Sequence, residues 1–500
     1  MTKKKIPVGV INTATSLLLQ IIAILNGFII PKLILNTYGS EVNGLISSLS
    51  QFLNYVSLLE GGVNSVIMAS LYGPLVKKDF KKIDSIVYTS TKFFRRISFV
   101  FVVYTIILAF IYPIISQSNF SFTYISTLTA ILSVKLFTQY CFSLSYQNLL
   151  NASKNSYIIS LSKCAIVVLD IILAIIITTS KLSVHVLEFA SVLVYSLQPI
   201  IFSYAVRKKF KLPKEKKEDK TLIKNRWDGL SINIAYFIHS NTDITLLTIF
   251  TNLATVSIYS VHMLICGGIT KVIGATITAI SPSIGNIYAS GKKEELLKKF
   301  NLYEYISFFC IGLLFGLGAL LITPFIQLYT SNITDANYYQ PTFAILLIIS
   351  ETIYMLRSPY ANLAYAAGKF KDITKHAYIE AVINITLSII LINQIGMIGI
   401  VIGTIAAMTY RTLFQIIYLK NHILYRNFTI FIKRFIAFFA PVIMTIALLK
   451  ISIPARLGDV YDFIYYSLIY SGILMIVQVI ISYIFFKEDL SVLKHYLKRK

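Results

Sequence analysis

The chain has 500 residues, 56% of them hydrophobic and only 14% charged, with 46 Lys and Arg against 22 Asp and Glu for a net charge of +24. A soluble globule carries roughly a quarter charged residues, so a chain this long and this apolar cannot cover itself with polar surface, and its solvent is largely lipid. The basic excess does not point to nucleic acid, because the Lys and Arg sit in short clusters between apolar runs, the arrangement that orients membrane segments.

A spanning helix needs about 20 mostly apolar residues. That rule predicts an all-α polytopic membrane protein with about fourteen spans, at 8–35, 42–72, 94–116, 122–150, 156–179, 184–206, 227–250, 256–289, 301–328, 341–367, 374–392, 396–419, 432–450 and 462–486. The start, Lys3-Lys4-Lys5 and then an apolar run from Val8, reads as a retained first span: the run outlasts a signal-peptide core and shows no small-residue cleavage site.

Alternate connections are basic. One set carries Lys77, Lys78, Lys81, Lys82, Arg95 and Arg96, then the run 207–226, then Lys292, Lys293, Lys298 and Lys299, then Lys369, Lys371 and Lys375, and later Lys420, Arg426, Lys433 and Arg434. The other set is nearly free of cations, with Lys181, Lys450 and Arg456 as its exceptions. Cations collect on the cytoplasmic side, so both ends are expected in the cytoplasm with an even number of spans. No connection is long enough to hold a catalytic domain.

The basic stretch 207–226 divides the chain into an N-lobe over 1–206 with spans one to six, a linker, a C-lobe over 227–420 with spans seven to twelve, and a last part, 421–500, with two further spans and a basic tail. An internal repeat supports the division. Gly44-Leu45-Ile46-Ser47 parallels Ile258-Tyr259-Ser260-Val261, and Tyr146 to Leu149 parallels Tyr360 to Leu363, both at one common offset. An even number of spans separates the copies, so they share an orientation. Parallel-repeat bundles in transporters rock about a site at their interface.

The four cysteines, Cys141, Cys164, Cys266 and Cys310, form no CxxC pair and no cluster with histidine, which leaves no disulfide framework and no metal site. There is no Walker A sequence, no GxSxG and no HExxH, so no catalytic residue is assigned. What remains is the set of ionisable residues inside spans, which are costly there and face protein or water. Lys271, beside Gly267, Gly268 and Gly274, either snorkels to the inner headgroups or lines a polar cleft that receives an anion. His262 lies nine positions earlier, and shares a cavity with Lys271 only if the glycine pair bends the helix. Glu60 falls one helical turn beyond the repeat equivalent of Lys271, so it is read either as the partner of a resting salt bridge or as a structural group in its own bundle. His239 and Asp243, four apart on one face, are a candidate proton- or cation-coupling pair or a structural one. Arg357 and Lys32 complete the cavity candidates. Lys163 and Asp170, seven apart, read as polar glue, and Lys135, Glu188, Glu304, Glu351, Glu380 and Arg411 are left without a role.

The stretch Phe28 to Leu45, with Pro31, Tyr38-Gly39, Glu41 and Asn43-Gly44, resembles the first loop of the polysaccharide repeat-unit flippases, although Tyr38-Gly39 and Asn43-Gly44 depart from the usual form. Asp243 followed by an apolar run and Ser257-Ile258-Tyr259-Ser260 resembles that family's junction of spans seven and eight, and Tyr360-Ala-Asn362 with Ala366-Ala367-Gly368-Lys369 its exit from span ten. The resemblance implies membership of the multidrug/oligosaccharidyl-lipid/polysaccharide (MOP) exporter superfamily, with two six-helix bundles forming a V around a central cavity and two added C-terminal helices. It implies a flippase in a bacterial cytoplasmic membrane. Such a protein moves an undecaprenyl-pyrophosphate-linked oligosaccharide from inner to outer leaflet by alternating access, for capsule, exopolysaccharide or a similar polymer. Lys271 would then contact the pyrophosphate. Membrane lipids, a polysaccharide polymerase and glycosyltransferases are the implied partners. No cofactor is implied, and proton or sodium coupling stays open. A cation-coupled multidrug exporter of the same superfamily is the alternative, weakened by fourteen spans and a cationic set of candidates. A membrane polymerase or glycosyltransferase would carry a sizeable outer loop, and the longest here, near 329–340, holds only Asp335.

Overall fold

The structure, a computed structural model, describes residues 7–60, 62–116, 118–210, 212–213, 217–219, 230–452 and 459–498, apart from the side chains of 230–236, 238–240, 279, 370–371, 450–452 and 493–498. The described residues form helices joined by connections, with no strand among them. In a bilayer every backbone N–H and C=O must be satisfied internally, and a helix does this within one segment.

In the first part of the chain the helices are α1 (Val8–Tyr38), α2 (Ser40–Leu53), α3 (Val63–Lys77), α4 (Phe80–Ile115), α5 (Phe122–Thr138), α6 (Leu144–Ala152), α7 (Ser156–Thr179), α8 (Val184–Tyr195), α9 (Leu197–Lys209) and α10 (Leu230–Phe250). The second part has α11 (Leu253–Ala289), α12 (Lys293–Tyr329), α13 (Pro341–Ala366), α14 (Phe370–Ile395), α15 (Met397–Leu419), α16 (Phe428–Ser452), α17 (Val460–Phe485) and α18 (Lys487–Lys498). Among the described residues, 12 helices or helix pairs are long and apolar enough to cross a membrane. The other two of the fourteen expected spans correspond to α10 and to α2 with α3. Exposed apolar side chains stud the outer faces of the helices, Phe99 at 70% and Leu448 at 68% among them, as lipid-facing surface requires.

Span two is not the single helix expected over 42–72. A 3-10 stretch, Asn54–Glu60, separates α2 from α3, and Tyr104 donates to the Phe52 carbonyl at the break (2.8 Å). Several helices also run well past the apolar window on the basic side: α4 begins at Phe80 rather than 94, and α12 at Lys293 rather than 301.

The contacts divide the chain into two compact units, Met1–Ser257 and Ile258–Lys500. The sequence places the division at 207–226; the contacts move it because α10 is bound along α2. Ser48 and Thr248 share a 2.6 Å hydrogen bond, Tyr55 bonds Thr245, and Asn43 donates to Ser257 at 2.7 Å. The backbones approach so closely that a Cβ on Gly44 would collide with the Leu253 carbonyl.

The repeat is written into the helix boundaries. The offset that relates Tyr146 to Tyr360 also relates the start of α7 to that of α14, and the end of α6 to that of α13. The left-handed residues that close helices recur as well. Lys78, Lys154 and Lys181 in the first copy answer to Gly291, Gly368 and Gly396 in the second, at the same offset to within one position. Glycine takes a positive φ without a Cβ penalty. Lysine bears that penalty, but its ammonium suits the negative end of a helix dipole.

In the second unit α12 is the central post, with 56% of its apolar window buried against 6% for α1. The two added helices pack on it: a Cβ on Gly316 would lie 2.7 Å from Val442 of α16, and one on Gly312 2.6 Å from Gln478 of α17.

Candidate functional site

The sequence candidates separate once their surroundings are visible. Lys271 is exposed on α11 and has no ion-pair partner among the described residues. Lys32 is half-buried on α1 and engaged in an interaction, as is Asp243 on α10. The side chain of His239 lies outside the described residues.

His262 is not placed to meet a substrate. It is 1% exposed, its Nδ1 pairs with the Ile258 carbonyl one turn back (2.8 Å), and its ring stands edge-on to Phe343 at 5.0 Å. Glu60 binds within its own unit, which favours its structural reading over a resting bridge to Lys271. Tyr140 donates to Oε1 and Asn64 to Oε2 (2.5 Å), while Asn148 in turn donates to Asn64 (2.8 Å). This chain ties the broken span two to the wall opposite.

Arg357 is buried and bound to Glu380 of α14 (2.9 Å), whose other oxygen takes Arg411 of α15. A second buried knot holds the added helices. Glu304 of α12 receives Arg426 (2.5 Å) and Arg434 (2.6 Å) as well as the Tyr360 hydroxyl, and Arg434 reaches on to Asp489 of α18 (2.8 Å). Carboxylates in these knots are neutralised on site, which is the condition for burying charge in a low-dielectric interior. They are closed rather than open to a ligand.

The open polar site lies instead in the first unit. A cavity of about 440 Å³ between α1, α2, α5, α7 and α8 is lined by Asn26, Asn43, Lys135, Asp170, Glu188 and Tyr195, with Pro31 of α1 on its wall. A second cavity of about 320 Å³ shares Lys135 and Tyr195 with it and adds Gln139, Ser143, Lys163 and Gln198. The Lys135 ammonium sits 3.4 Å from the centroid of the Tyr195 ring, a cation–π contact. Asp170 is 7% exposed, and Asp170 and Glu188 share the cavity wall with Lys135 and Ser191. Among the described residues neither carboxylate closes on the ammonium as a contact ion pair.

Local sequence explains the opening. A π-helical turn, Gln139–Ser143, replaces the α-helix between α5 and α6. Such a turn widens a helix and is frequent at functional sites. It puts Gln139 and Ser143 on the cavity side and Tyr140 on Glu60. Lys135 lies thirteen residues into α5, about 20 Å from its start at 1.5 Å per residue. Asp170 lies nine residues from the end of α7, about 13 Å. Both are therefore well inside the hydrocarbon, where charge is retained for use rather than for solubility.

In the 440 Å³ cavity two carboxylates face one ammonium. With all three ionised, one negative charge is left over in a low-dielectric space, and a proton or a monovalent cation removes it. A site of this composition can load and unload one positive charge. No group of three or more His, Cys, Asp or Glu suited to a metal occurs among the described residues.

The fold now has relatives. No family model matches the chain, and no curated protein matches it by sequence. Among solved structures, the chain has the fold of multi-pass membrane transporters of the MOP superfamily. The lipid II flippase MurJ in an inward closed conformation superposes with a TM-score of 0.71 at 15% identity, covering 96% of this chain and 99% of that one. An inward-facing multidrug resistance MATE family transporter gives 0.63 at 14% identity over 80% of this chain and 95% of that one. The MATE multidrug transporter DinF-BH gives 0.60 at 14% identity over 85% and 98%.

Proposed function

We propose that this chain is a transporter rather than an enzyme. Its substrate is an undecaprenyl-pyrophosphate-linked oligosaccharide repeat unit, carried from the inner to the outer leaflet of a bacterial cytoplasmic membrane by alternating access. The observation that carries the reading is the near-complete mutual coverage with a lipid flippase, 96% and 99%, where the multidrug transporter at 0.63 leaves a fifth of this chain uncovered. α16, one of the two added helices, is bolted to α12 by the Glu304 knot through Arg434. Exposed Lys271 is the cation proposed to greet the pyrophosphate, in place of Arg357 and His262, which are committed elsewhere.

Coupling to a proton or sodium ion is proposed to reside at Asp170 and Glu188, with Lys135 as the fixed countercharge. These same carboxylates favour a second reading, a cation-coupled exporter of small molecules.

One experiment separates them. Cells depleted of the protein are assayed for undecaprenyl-pyrophosphate oligosaccharide held in the inner leaflet, with wild type, Lys271→Ala and Glu188→Gln as rescues. The flippase reading expects accumulation that wild type clears and both variants clear at least tenfold more slowly. If the lipid-linked unit still reaches the outer face in depleted cells, its translocation is not this protein's work and the exporter reading replaces it.

A further inference from the structure

A third cavity, of about 1090 Å³, lies in the first unit against the basic end of α4 and has no part in the coupling site. α4 has 36 residues, yet only its stretch from Ile97 to Ile115 is free of charge. At 1.5 Å per residue, the preceding part extends roughly 25 Å beyond the hydrocarbon. Lys92, Arg95 and Arg96 therefore fall at the level of the lipid headgroups, and Arg207 at the end of α9 faces them across the cavity. Immediately deeper, Phe99 and Val100 of α4 supply an apolar wall, with Val206 on the α9 side. Charge at headgroup depth followed by apolar surface at chain depth is the profile of an amphiphile with an anionic head.

The basic stripe already holds anions, and they come from the chain itself. In the linker, Glu218 pairs with Lys92 (2.8 Å), Asp219 pairs with Lys82 (2.7 Å), and the Asp219 backbone N–H donates to Thr89 (2.8 Å). Lys92 thus belongs both to the cavity and to the linker's anchor. A carboxylate and a phosphate oxygen make the same charge-assisted bond to an ammonium, and arginine adds the paired geometry that suits phosphate.

We propose that this cleft binds the phosphate of a membrane lipid, with Lys92, Arg96 and Arg207 on the phosphate and Phe99 along the chain, and that Glu218 and Asp219 are an internal competitor. An incoming phosphate displaces Glu218 from Lys92. The site does not depend on what the protein transports. The shared chemistry is a phosphate on an apolar tail, whether a phospholipid of the bilayer or a prenyl phosphate.

The test uses the purified full-length chain in nanodiscs of phosphatidylcholine, with phosphatidylglycerol or undecaprenyl phosphate titrated in and bound lipid counted by native mass spectrometry. Lys92→Gln with Arg96→Gln should weaken binding about tenfold, and the charge-preserving Lys92→Arg with Arg96→Lys should restore most of it, which sets folding aside. Glu218→Gln with Asp219→Asn should tighten binding severalfold, whereas the same neutralisation of Glu294 and Glu295, acids at the equivalent end of α12, should not. Preference for phosphatidylglycerol identifies the bilayer as the source; preference for undecaprenyl phosphate identifies a lipid carrier. Equal effects of the two acidic pairs would overturn the proposal, reducing the cleft to general surface charge. So would unaltered binding in the glutamine variant, or displacement of either lipid by equimolar inorganic phosphate.

Discussion

The two units are built on one plan and use it in opposite ways. Asp170 on α7 of the first unit and Asn384 on α14 of the second are related by the repeat offset and occupy equivalent places. The first is a carboxylate on the wall of an open cavity; the second is an amide bonded to Thr404 (2.8 Å) in a closed interface. Glycine makes the difference. In the second unit Gly399 and Gly403 let α15 press on α14 so closely that a Cβ would lie 2.5 Å from the Leu391 backbone and 2.6 Å from Ser388. Small residues four apart are how helices meet tightly in a membrane. The corresponding positions on α8 are His185, which is bonded to Thr127 and the Tyr124 carbonyl of α5, and Phe189, which is exposed; neither is a glycine that lets α8 close on α7, and Glu188 lines the cavity there. Likewise Ser143 in the π-turn corresponds to Arg357, which in the second unit is locked to Glu380. One unit keeps its charge available; the other neutralises it and serves as the frame.

Substitutions in the frame should cost stability first. Glu380→Ala strands Arg357 and Arg411 in the interior, and breaking a buried pair from one side costs about 3–5 kcal/mol. A thermal melt in detergent should show that loss as a large drop in Tm; an unchanged Tm would mean the triad is not a lock. Gly403→Val should come next. The overpacked α14–α15 contact costs about 1–3 kcal/mol, read in the same melt, whereas valine at Gly267, where no atom stands within 4 Å of an added Cβ, should leave Tm nearly unchanged.

Substitutions in the first unit's cavity should reverse the pattern. Asp170→Asn and Glu188→Gln keep the shape and remove the surplus negative charge, so Tm should hold within a few degrees while transport falls at least tenfold. Equal losses of stability and transport would make the cavity another piece of frame. The smallest structural effect is expected for exposed Lys271→Ala: no measurable change in Tm, with any defect confined to substrate affinity in a binding titration.

The membrane spans were legible because lipid forces apolar runs and a charge alternation between them. The repeat was legible at Tyr146 and Tyr360, and the helix boundaries extend it over both halves. The break in span two was missed because an apolar run looks unbroken until Tyr104 and Tyr140 are seen to catch its loose ends. The cavity cluster was hidden for a different reason. Spacing along one helix shows that Lys163 and Asp170 share a face, but not that α5 and α8 turn Lys135 and Glu188 toward the same space. Arg357 reads as a cavity candidate for the same reason, its partner Glu380 lying on another helix. The tightly spaced Gly399-Ile-Val-Ile-Gly403 was the available signal that the second unit would be sealed at that place.

The central claim, that the first unit's cavity carries the coupling charge, is tested most directly by initial transport rates in proteoliposomes under imposed proton or sodium gradients. A fluorescent undecaprenyl-pyrophosphate oligosaccharide serves as cargo, and wild type is compared with Glu188→Gln. The account predicts that one gradient accelerates wild type severalfold and leaves the folded variant at the rate it shows without a gradient. A Glu188→Gln protein that responds to the gradient as wild type does would contradict it.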